Sequence, residues 1–129
     1  MDTETRRSQL DQITQKIIGC VHDVSNALGP GFLEKVYDNS LAVELQLAGL
    51  RVVQQQRIEV SYRDVLVGDF VADLLVDDSV LVEVKAVRAL EDAHTAQCMN
   101  YLKATGLQVC LLINFGTPKA TVKRVVLGF

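Results

Sequence analysis

The chain reads FVADLLVDDSVLVEVK over residues 70–85, two apolar runs that are interrupted by charged residues and separated by three polar ones. The aliphatic and β-branched residues on either side of Asp77-Asp78-Ser79 predict two strands joined by a tight turn. Asp73 stands inside the first strand, and Glu83 and Lys85 stand inside the second. Because charged groups are costly to bury unless they are paired or bind a metal, these three residues are candidate site residues.

The register of this hairpin decides whether the two carboxylates meet. Glu83 and Lys85 are two residues apart and therefore project from the same face of one strand. A three-residue loop, Asp77-Asp78-Ser79, places Asp73 opposite Glu83, whereas a two-residue loop places it opposite Val82 and separates the carboxylates. Since Asp tolerates the left-handed backbone conformation that three-residue hairpin loops often use, we predict the three-residue loop.

The hydrophobic pattern around this hairpin predicts a mixed α/β fold, a central sheet flanked by helices. Apolar residues recur at helical spacing from Leu10 to Leu28, and Gly29-Pro30-Gly31 ends that helix. Helical spacing also predicts a helix over 32–48 and another over 91–105, while strands are predicted over 51–62, 65–76, 80–87, 107–115 and 119–127. The predicted order is therefore α-α-β-β-β-α-β-β.

Length and composition indicate one domain. The chain has 129 residues, of which 49% are hydrophobic, enough to bury a core without a disulfide or metal. We expect a single domain over residues 1–129, with a loose N-terminal tail over 1–8. The 13 basic and 16 acidic residues give a net charge of −3, which excludes a strongly basic nucleic-acid clamp as the character of the whole chain.

Sequence features also predict a cytoplasmic protein that does not enter membranes. The longest apolar run, Val109 to Ile113, is far shorter than a membrane span, and the N-terminus lacks the pattern of a secretory signal. Cys20, Cys98 and Cys110 have no paired spacing and are expected to be free, buried thiols. Since His22 and His94 form no ligand-spaced cluster with them, no zinc site is expected.

Two carboxylates and a lysine on paired strands are the components of a metal-dependent phosphodiester hydrolase. Hard divalent cations such as Mg²⁺ prefer carboxylate and carbonyl oxygens. A metal held by such groups polarises a phosphate oxygen and lowers the pKa of the attacking water. Lys85 would orient that water or balance charge on the phosphate. The alternative is a structural ion pair of Lys85 with Glu83 or Asp73 at the rim of the sheet.

Several motifs in order resemble a known group of enzymes. Asp73, nine residues and then Glu83-Val84-Lys85 resemble the D…ExK core of the PD-(D/E)XK nuclease superfamily, whose restriction-endonuclease-like core the predicted element order also resembles. Residues 31–37, GFLEKVY, resemble the GxxExxY signature of small bacterial proteins named for it. The segments 72–76 and 112–116 are similar to that family as well. The resemblance implies a bacterial nuclease-fold protein.

The resemblance also implies a role for each matching residue in the charged set. Asp73 and Glu83 would bind Mg²⁺ (or Mn²⁺), and Lys85 would be the catalytic lysine. Glu34, on the first core helix, and the backbone carbonyl of Val84 would complete the metal site. The implied activity is hydrolysis of DNA or RNA by metal-activated water.

A further motif lies on the helix after the ExK strand. Residues 97–101, QCMNY, resemble the QxxxY motif of RecB-type and phage exonuclease-like members of the superfamily. Gln97 and Tyr101 are four residues apart, so both side chains can reach the site from one helix face. The alternative interpretation is a helix that simply packs on the sheet with a half-buried Tyr101.

Two classes of function remain open from the sequence. The first is a Mg²⁺-dependent nuclease with a nucleic-acid substrate, for which a homodimer would double the available basic surface. The second is a non-catalytic interaction module that keeps the nuclease fold and binds a metal or a partner protein. The small size and the acidic balance favour the second, and the complete charged set favours the first.

Overall fold

The computed structural model describes residues 2–128 and has the predicted order of helices and strands. The elements are α1 (Thr3–Leu28), α2 (Glu34–Leu47), β1 (Val52–Tyr62), β2 (Val65–Val76), β3 (Val80–Lys85), α3 (Asp92–Thr105), β4 (Val109–Asn114) and β5 (Thr121–Val126). The mixed α/β fold class and the order α-α-β-β-β-α-β-β are confirmed.

The first helix begins earlier than the sequence pattern predicts. Residues 3–8, expected to belong to a loose tail, form the first turns of α1. Asp2 is the N-cap, and its side chain accepts a hydrogen bond of 2.8 Å from the backbone N–H of Thr5. Apolar spacing could not reveal these turns because they precede Leu10, the first fully buried residue of the helix.

The strands form one five-stranded sheet in the order β1-β2-β3-β4-β5. Neighbouring strands are antiparallel except β3 and β4, which are parallel and are connected through α3. All six residues of β4 are buried, as predicted for a strand covered on both faces. The central strands therefore form the layer of the core against which the helices pack on both faces.

Helices cover the two faces of the sheet separately. Residues of α1 and α2 pack with one set of strand side chains, and residues of α3 pack with another. The three cysteines are free and buried, as expected from their spacing. No helix within residues 2–128 is long and apolar enough to cross a membrane.

The hairpin between β2 and β3 has the predicted register. Val76 pairs with Val80 and Leu74 pairs with Val82, so the loop consists of residues 77–79. Asp77 and Asp78 adopt the left-handed conformation, with φ of 50° and 53°. Continued by one residue, this register sets Asp73 opposite Glu83, and the three-residue loop is confirmed.

The strands β1 and β2 extend well beyond β3. Only residues 74–76 of β2 pair with β3, whereas β1 and β2 pair with each other along almost their whole length. We call residues 57–71 of this pair the β1–β2 arm. The carboxylates of the candidate site lie where the arm leaves the body of the sheet.

Candidate active site

Asp73 and Glu83 bridge the point at which β2 separates from β3. Regular backbone pairing of the two strands runs as far as Leu74 and Val82. Beyond it, the backbone N–H of Asp73 donates to Oε1 of Glu83 at 2.9 Å, and the N–H of Val84 donates to Oδ2 of Asp73 at 2.7 Å. Each carboxylate thus accepts a backbone hydrogen bond from the opposite strand, and the structure brings the two acids together.

Lys85 lies beside the buried acid. Its Nζ is 3.9 Å from Oε2 of Glu83, a distance at the long end for an ion pair. The Lys85 side chain is 18% exposed and that of Glu83 is 5% exposed. The Lys85 ammonium group therefore neutralises part of the buried charge of Glu83, while the Lys85 side chain remains partly exposed to solvent.

Glu34 and Asp73 line the same cavity. Glu34 is the first residue of α2 and is exposed. The cavity has a volume of about 380 Å³ and is lined by Glu34, Lys35, Asp38, Gln55, Asp73 and Val84. Three of the four expected metal-binding positions therefore surround one cavity, with Glu83 buried behind Asp73.

Tyr37 holds the loop that positions Glu34. This tyrosine is fully buried, donates its hydroxyl proton to the carbonyl of Gly29 and accepts the N–H of Phe32 at 3.2 Å. Its ring stacks on Phe115 at 4.7 Å between centroids. The last residue of the GxxExxY motif therefore fixes the connection between α1 and α2 and, through it, the start of α2.

The site carries more negative charge than its two lysines balance. Burial first, and then the charge of Asp73, raises the pKa of Glu83 to about 7 from the usual 4.5. Burial also raises the pKa of Asp73, with Asp38 and Glu34 adding to the shift, while the N–H of Val84 opposes it. A bound cation would relieve this crowding of carboxylates.

Asn114, at the end of β4, holds the backbone that follows Lys85. The Asn114 side chain is buried, accepts the N–H of Val87 at 3.0 Å and donates to its carbonyl at 2.9 Å. It also accepts the N–H of Gly116 at 2.9 Å. The predicted strand over 80–87 ends at Lys85 because Val87 is bound by this side chain instead of by a neighbouring strand.

The two QxxxY residues are placed differently. Tyr101 is buried, and its hydroxyl donates to the carbonyl of Val71 at 3.3 Å. Burial and the charges of Glu83 and Asp73 raise the pKa of Tyr101, so its ring lies within electrostatic range of both acids. Gln97 is half-buried, and within residues 2–128 no hydrogen bond joins it to a carboxylate of the site.

Asp38 is a member of the site that the sequence analysis did not identify. It is 3% exposed, lies 3.1 Å from Nζ of Lys35 and accepts long hydrogen bonds of 3.4 Å from Gln54 and Gln55. Its position four residues after Glu34, on the same helix face, is the signal that could have found it. Gln55, with φ of 59°, has no such signal because it joins the cavity only through the sheet.

The two histidines lie away from the carboxylates. His22 is exposed on α1. His94 accepts the backbone N–H of Glu91 through Nδ1 at 3.0 Å and so completes the capping box of α3. His94 therefore has a structural role at the start of its helix.

The oxygen donors match a hard divalent cation in kind. Within residues 2–128, no three Asp, Glu, His or Cys side chains converge closely enough to hold a metal ion. The cavity is nevertheless lined by carboxylates and a backbone segment, and burial first, with neighbouring carboxylates adding to it, raises the pKa of Asp73 and of Glu83. This donor set fits Mg²⁺ or Mn²⁺ rather than a softer metal.

Comparisons with known proteins identify the family. The model of the PD-(D/E)XK nuclease superfamily matches residues 11–125, and the chain belongs to this superfamily. Among solved structures, an alkaline exonuclease from Laribacter hongkongensis has the same fold, with a TM-score of 0.52 and 16% identity. The similarity covers 71% of this chain and 55% of that exonuclease, so the chain spans about half of its length. No curated protein matches the sequence.

Proposed function

We propose that the protein is a divalent-metal-dependent nuclease that hydrolyses phosphodiester bonds of DNA or RNA. The observation that carries this proposal is the meeting of Asp73, Glu83 and Lys85 where β2 separates from β3. The family supports it, because the chain belongs to a superfamily described by its nuclease activity. Nucleic-acid cleavage by the wild-type protein and by a Lys85 variant tests this proposal directly.

Each residue of the site has a proposed role. Asp73, Glu83, Glu34 and the carbonyl of Val84 would hold Mg²⁺ or Mn²⁺, which when bound supplies activation of water and charge for the phosphate. Lys85 would orient the attacking water and hold positive charge near the scissile phosphate.

Three further residues support the site from outside the charged set. Asp38 would keep Lys35 at the cavity, 3.1 Å from its carboxylate. Tyr101 and Gln97 would form the wall on the α3 side, and Tyr101 buries Glu83 away from water.

The test is cleavage by a Lys85 variant. Purified wild-type protein in Mg²⁺ or Mn²⁺ is expected to cut a panel of single- and double-stranded DNA and RNA, and Lys85→Ala is expected to lower the rate at least about a hundredfold. Lys103→Ala, in the last turn of α3, is the matched control and is expected to retain full activity. Circular dichroism and thermal melting are expected to show that both variants fold.

If the protein is instead a non-catalytic module, we expect no cleavage by the wild-type protein or by either variant. This alternative function is favoured by the ion pair of Lys85 with Glu83 and by the acidic net charge. If the wild-type protein cuts no substrate and calorimetry detects no Mg²⁺ or Mn²⁺ binding that Asp73→Asn removes, the nuclease proposal is wrong. Metal binding without cleavage would leave a metal-binding interaction module.

The finer classification is also a proposal. We propose that the chain is one of the bacterial GxxExxY proteins; residues 31–37 support this, and the buried position of Tyr37 gives that signature a physical basis. We propose a cytoplasmic location, supported by three free thiols. Partner binding to a second copy is proposed from the β1–β2 arm, whose Val65, Val67 and Val71 are each about half exposed or more.

A further inference from the structure

We propose that a groove beside α1, far from the carboxylates, binds the phosphate backbone of the nucleic-acid substrate. The inference rests on the proposed nuclease function and extends it to a substrate several nucleotides long. The groove has a volume of about 560 Å³, and its lining includes three basic residues, Arg6, Lys16 and Arg51, and one acidic residue, Asp77. We call it the α1 groove.

Helix α1 supplies half of the residues that line the groove. Arg6, Gln9, Ile13 and Lys16 follow each other at steps of three, four and three residues, which places them on one side of the helix. Within residues 2–128, neither the guanidinium of Arg6 nor the ammonium of Lys16 belongs to an ion pair. Two uncompensated cations therefore face the same cavity.

The acidic residues at the rim of the groove are already engaged. Asp77 accepts the backbone N–H of Arg51 at 2.8 Å, and Asp78 lies 3.0 Å from the guanidinium of Arg51. Arg51 thus holds both carboxylates of the β2–β3 turn. Arg51 and Asp78 neutralise each other, whereas Asp77, bound only by a backbone N–H, keeps its charge. Two cations (+2) and one carboxylate (−1) leave the groove with a net charge of +1, so it suits an anion even though the whole chain has a charge of −3.

The position of the groove indicates the length of its ligand. It lies at the β2–β3 turn and at residues 49–51, which follow α2, whereas the carboxylate cavity lies at the first turn of α2. α2 has 14 residues, so at 1.5 Å per residue the two sites are about 21 Å apart along the helix. Along the strands the separation is shorter: about 13 Å from Asp73 of the cavity to Asp77 of the groove, and about 17 Å from Val84 to Ser79. A single nucleotide cannot span this distance, whereas a strand with many phosphates can.

The backbone of a nucleic acid is the anion that this geometry fits best. Its phosphates repeat along the strand, so one molecule can occupy both the carboxylate cavity and the α1 groove. Arg and Lys contacts to phosphate depend on charge and not on base identity. The groove would therefore add affinity for long substrates without adding sequence specificity.

The test removes the two uncompensated cations together. Fluorescence anisotropy measures binding of labelled single strands and duplexes of about 20 nucleotides in Ca²⁺, which takes the same oxygen ligands while cleavage is slowed. Arg6→Ala/Lys16→Ala is expected to weaken binding and to lower the slope of log K against log salt by about 1.4 for single strands or about 1.8 for duplexes. Arg63→Ala/Lys103→Ala removes the same charge from the arm and from α3, and is expected to keep the wild-type slope.

Steady-state kinetics in Mg²⁺ gives a second measurement. The groove variant is expected to have a raised KM and an unchanged kcat on the long substrates, and unchanged kinetics on a trinucleotide that cannot reach α1. Wild-type affinity and salt slope in the groove variant would overturn the groove while leaving the nuclease proposal intact. Absence of any nucleic-acid binding or cleavage by the wild-type protein would instead overturn both.

Discussion

At the level of single residues, Glu83 combines almost complete burial with a negative charge. It is 3% exposed and faces Asp73 on β2, Lys85 on its own strand, Glu34 on α2 and the ring of Tyr101 on α3. Only Lys85 in this set is a cation. The folded protein therefore prefers Glu83 protonated until the pH exceeds about 7.

This preference predicts how stability depends on pH in a chelator. Between pH 4.5 and 7 the folded state keeps the Glu83 proton that the unfolded chain releases, so the free energy of unfolding falls as pH rises, by up to about 3 kcal/mol. Glu83→Gln cannot ionise and is expected to melt at a higher temperature than wild type at pH 8, with a flatter profile. Differential scanning calorimetry in EDTA measures both profiles.

The matched control for this prediction is Glu59→Gln. The Glu59 side chain is 53% exposed on the arm, so its substitution is expected to leave the pH profile of melting close to that of wild type. The raised pKa of Asp73 acts in the same direction and leaves a smaller slope in Glu83→Gln. A profile of Glu83→Gln that coincides with wild type would contradict the charge crowding described above.

The backbone at Gly116 packs closely against the backbone of Val87. A Cβ atom there would lie 2.1 Å from the carbonyl oxygen of Val87, the residue that Asn114 holds. Gly116→Ala is expected to lower the free energy of unfolding by about 3 kcal/mol, because backbone must move to admit the methyl group. Urea denaturation measures the change.

Gly19 offers the opposite outcome for the same substitution. It lies within α1, and a Cβ there meets nothing within 4 Å. Gly19→Ala is expected to raise the free energy of unfolding by about 0.5–1 kcal/mol, through helix propensity alone. Equal effects of the two substitutions would show that the loop after β4 does not approach Val87 closely.

At the level of elements, the β1–β2 arm exposes apolar side chains that the body of the protein does not cover. Val65, Val67 and Val71 are each about half exposed or more, and the charge of Arg57, which pairs with Val71 across the strands, is already compensated by Asp69 at 2.9 Å. A two-stranded ribbon gains stability when a further apolar surface covers it. A second copy of the chain supplies such a surface, which is the basis of the proposed homodimer.

Val67→Lys tests this pairing. Light scattering on a sizing column is expected to find the wild type as a dimer and Val67→Lys shifted towards monomer, because a charge would enter the buried interface. Leu47→Lys, an exposed apolar residue at the end of α2, is the control and is expected to remain dimeric. A wild type that is monomeric at all concentrations would refute the arm as a dimer interface.

Local signals explain which elements the sequence could predict. The turn at residues 77–79 fixes the β2–β3 register because its length and its Asp residues determine both the loop and its backbone conformation. The first turns of α1 depend on a cap at Asp2 instead of on apolar spacing. The end of β3 depends on Asn114, 29 residues after Lys85, and no local pattern contains that contact.

At the level of the whole molecule, some residues of the site are visible in the local sequence, and others belong to the site only through contacts made by the fold. Asp73, Glu83 and Lys85 interrupt apolar strands and are therefore visible in the sequence. Asp38 and Gln55 are ordinary polar residues in their own segments and become site residues only when α2 packs beside the sheet. The α1 groove was missed for that reason too, since Arg6, Lys16 and the β2–β3 turn are brought together only by the fold.

The paired hydrogen bonds of Asp73 and Glu83 affect how the sequence of this chain can diverge. The two acids replace backbone pairing at the point where β2 and β3 separate, so losing either side chain loosens the strands as well as the chemistry. Selection for a stable fold alone would therefore retain an oxygen acceptor at both positions, an acid or its amide, in a descendant that has lost activity. Lys85 makes only a 3.9 Å ion pair, so natural selection for chemistry acts on it almost separately from selection for folding. Among lineages that carry this fold, the lysine distinguishes an active enzyme from an inactive copy more reliably than an oxygen acceptor at positions 73 and 83 does.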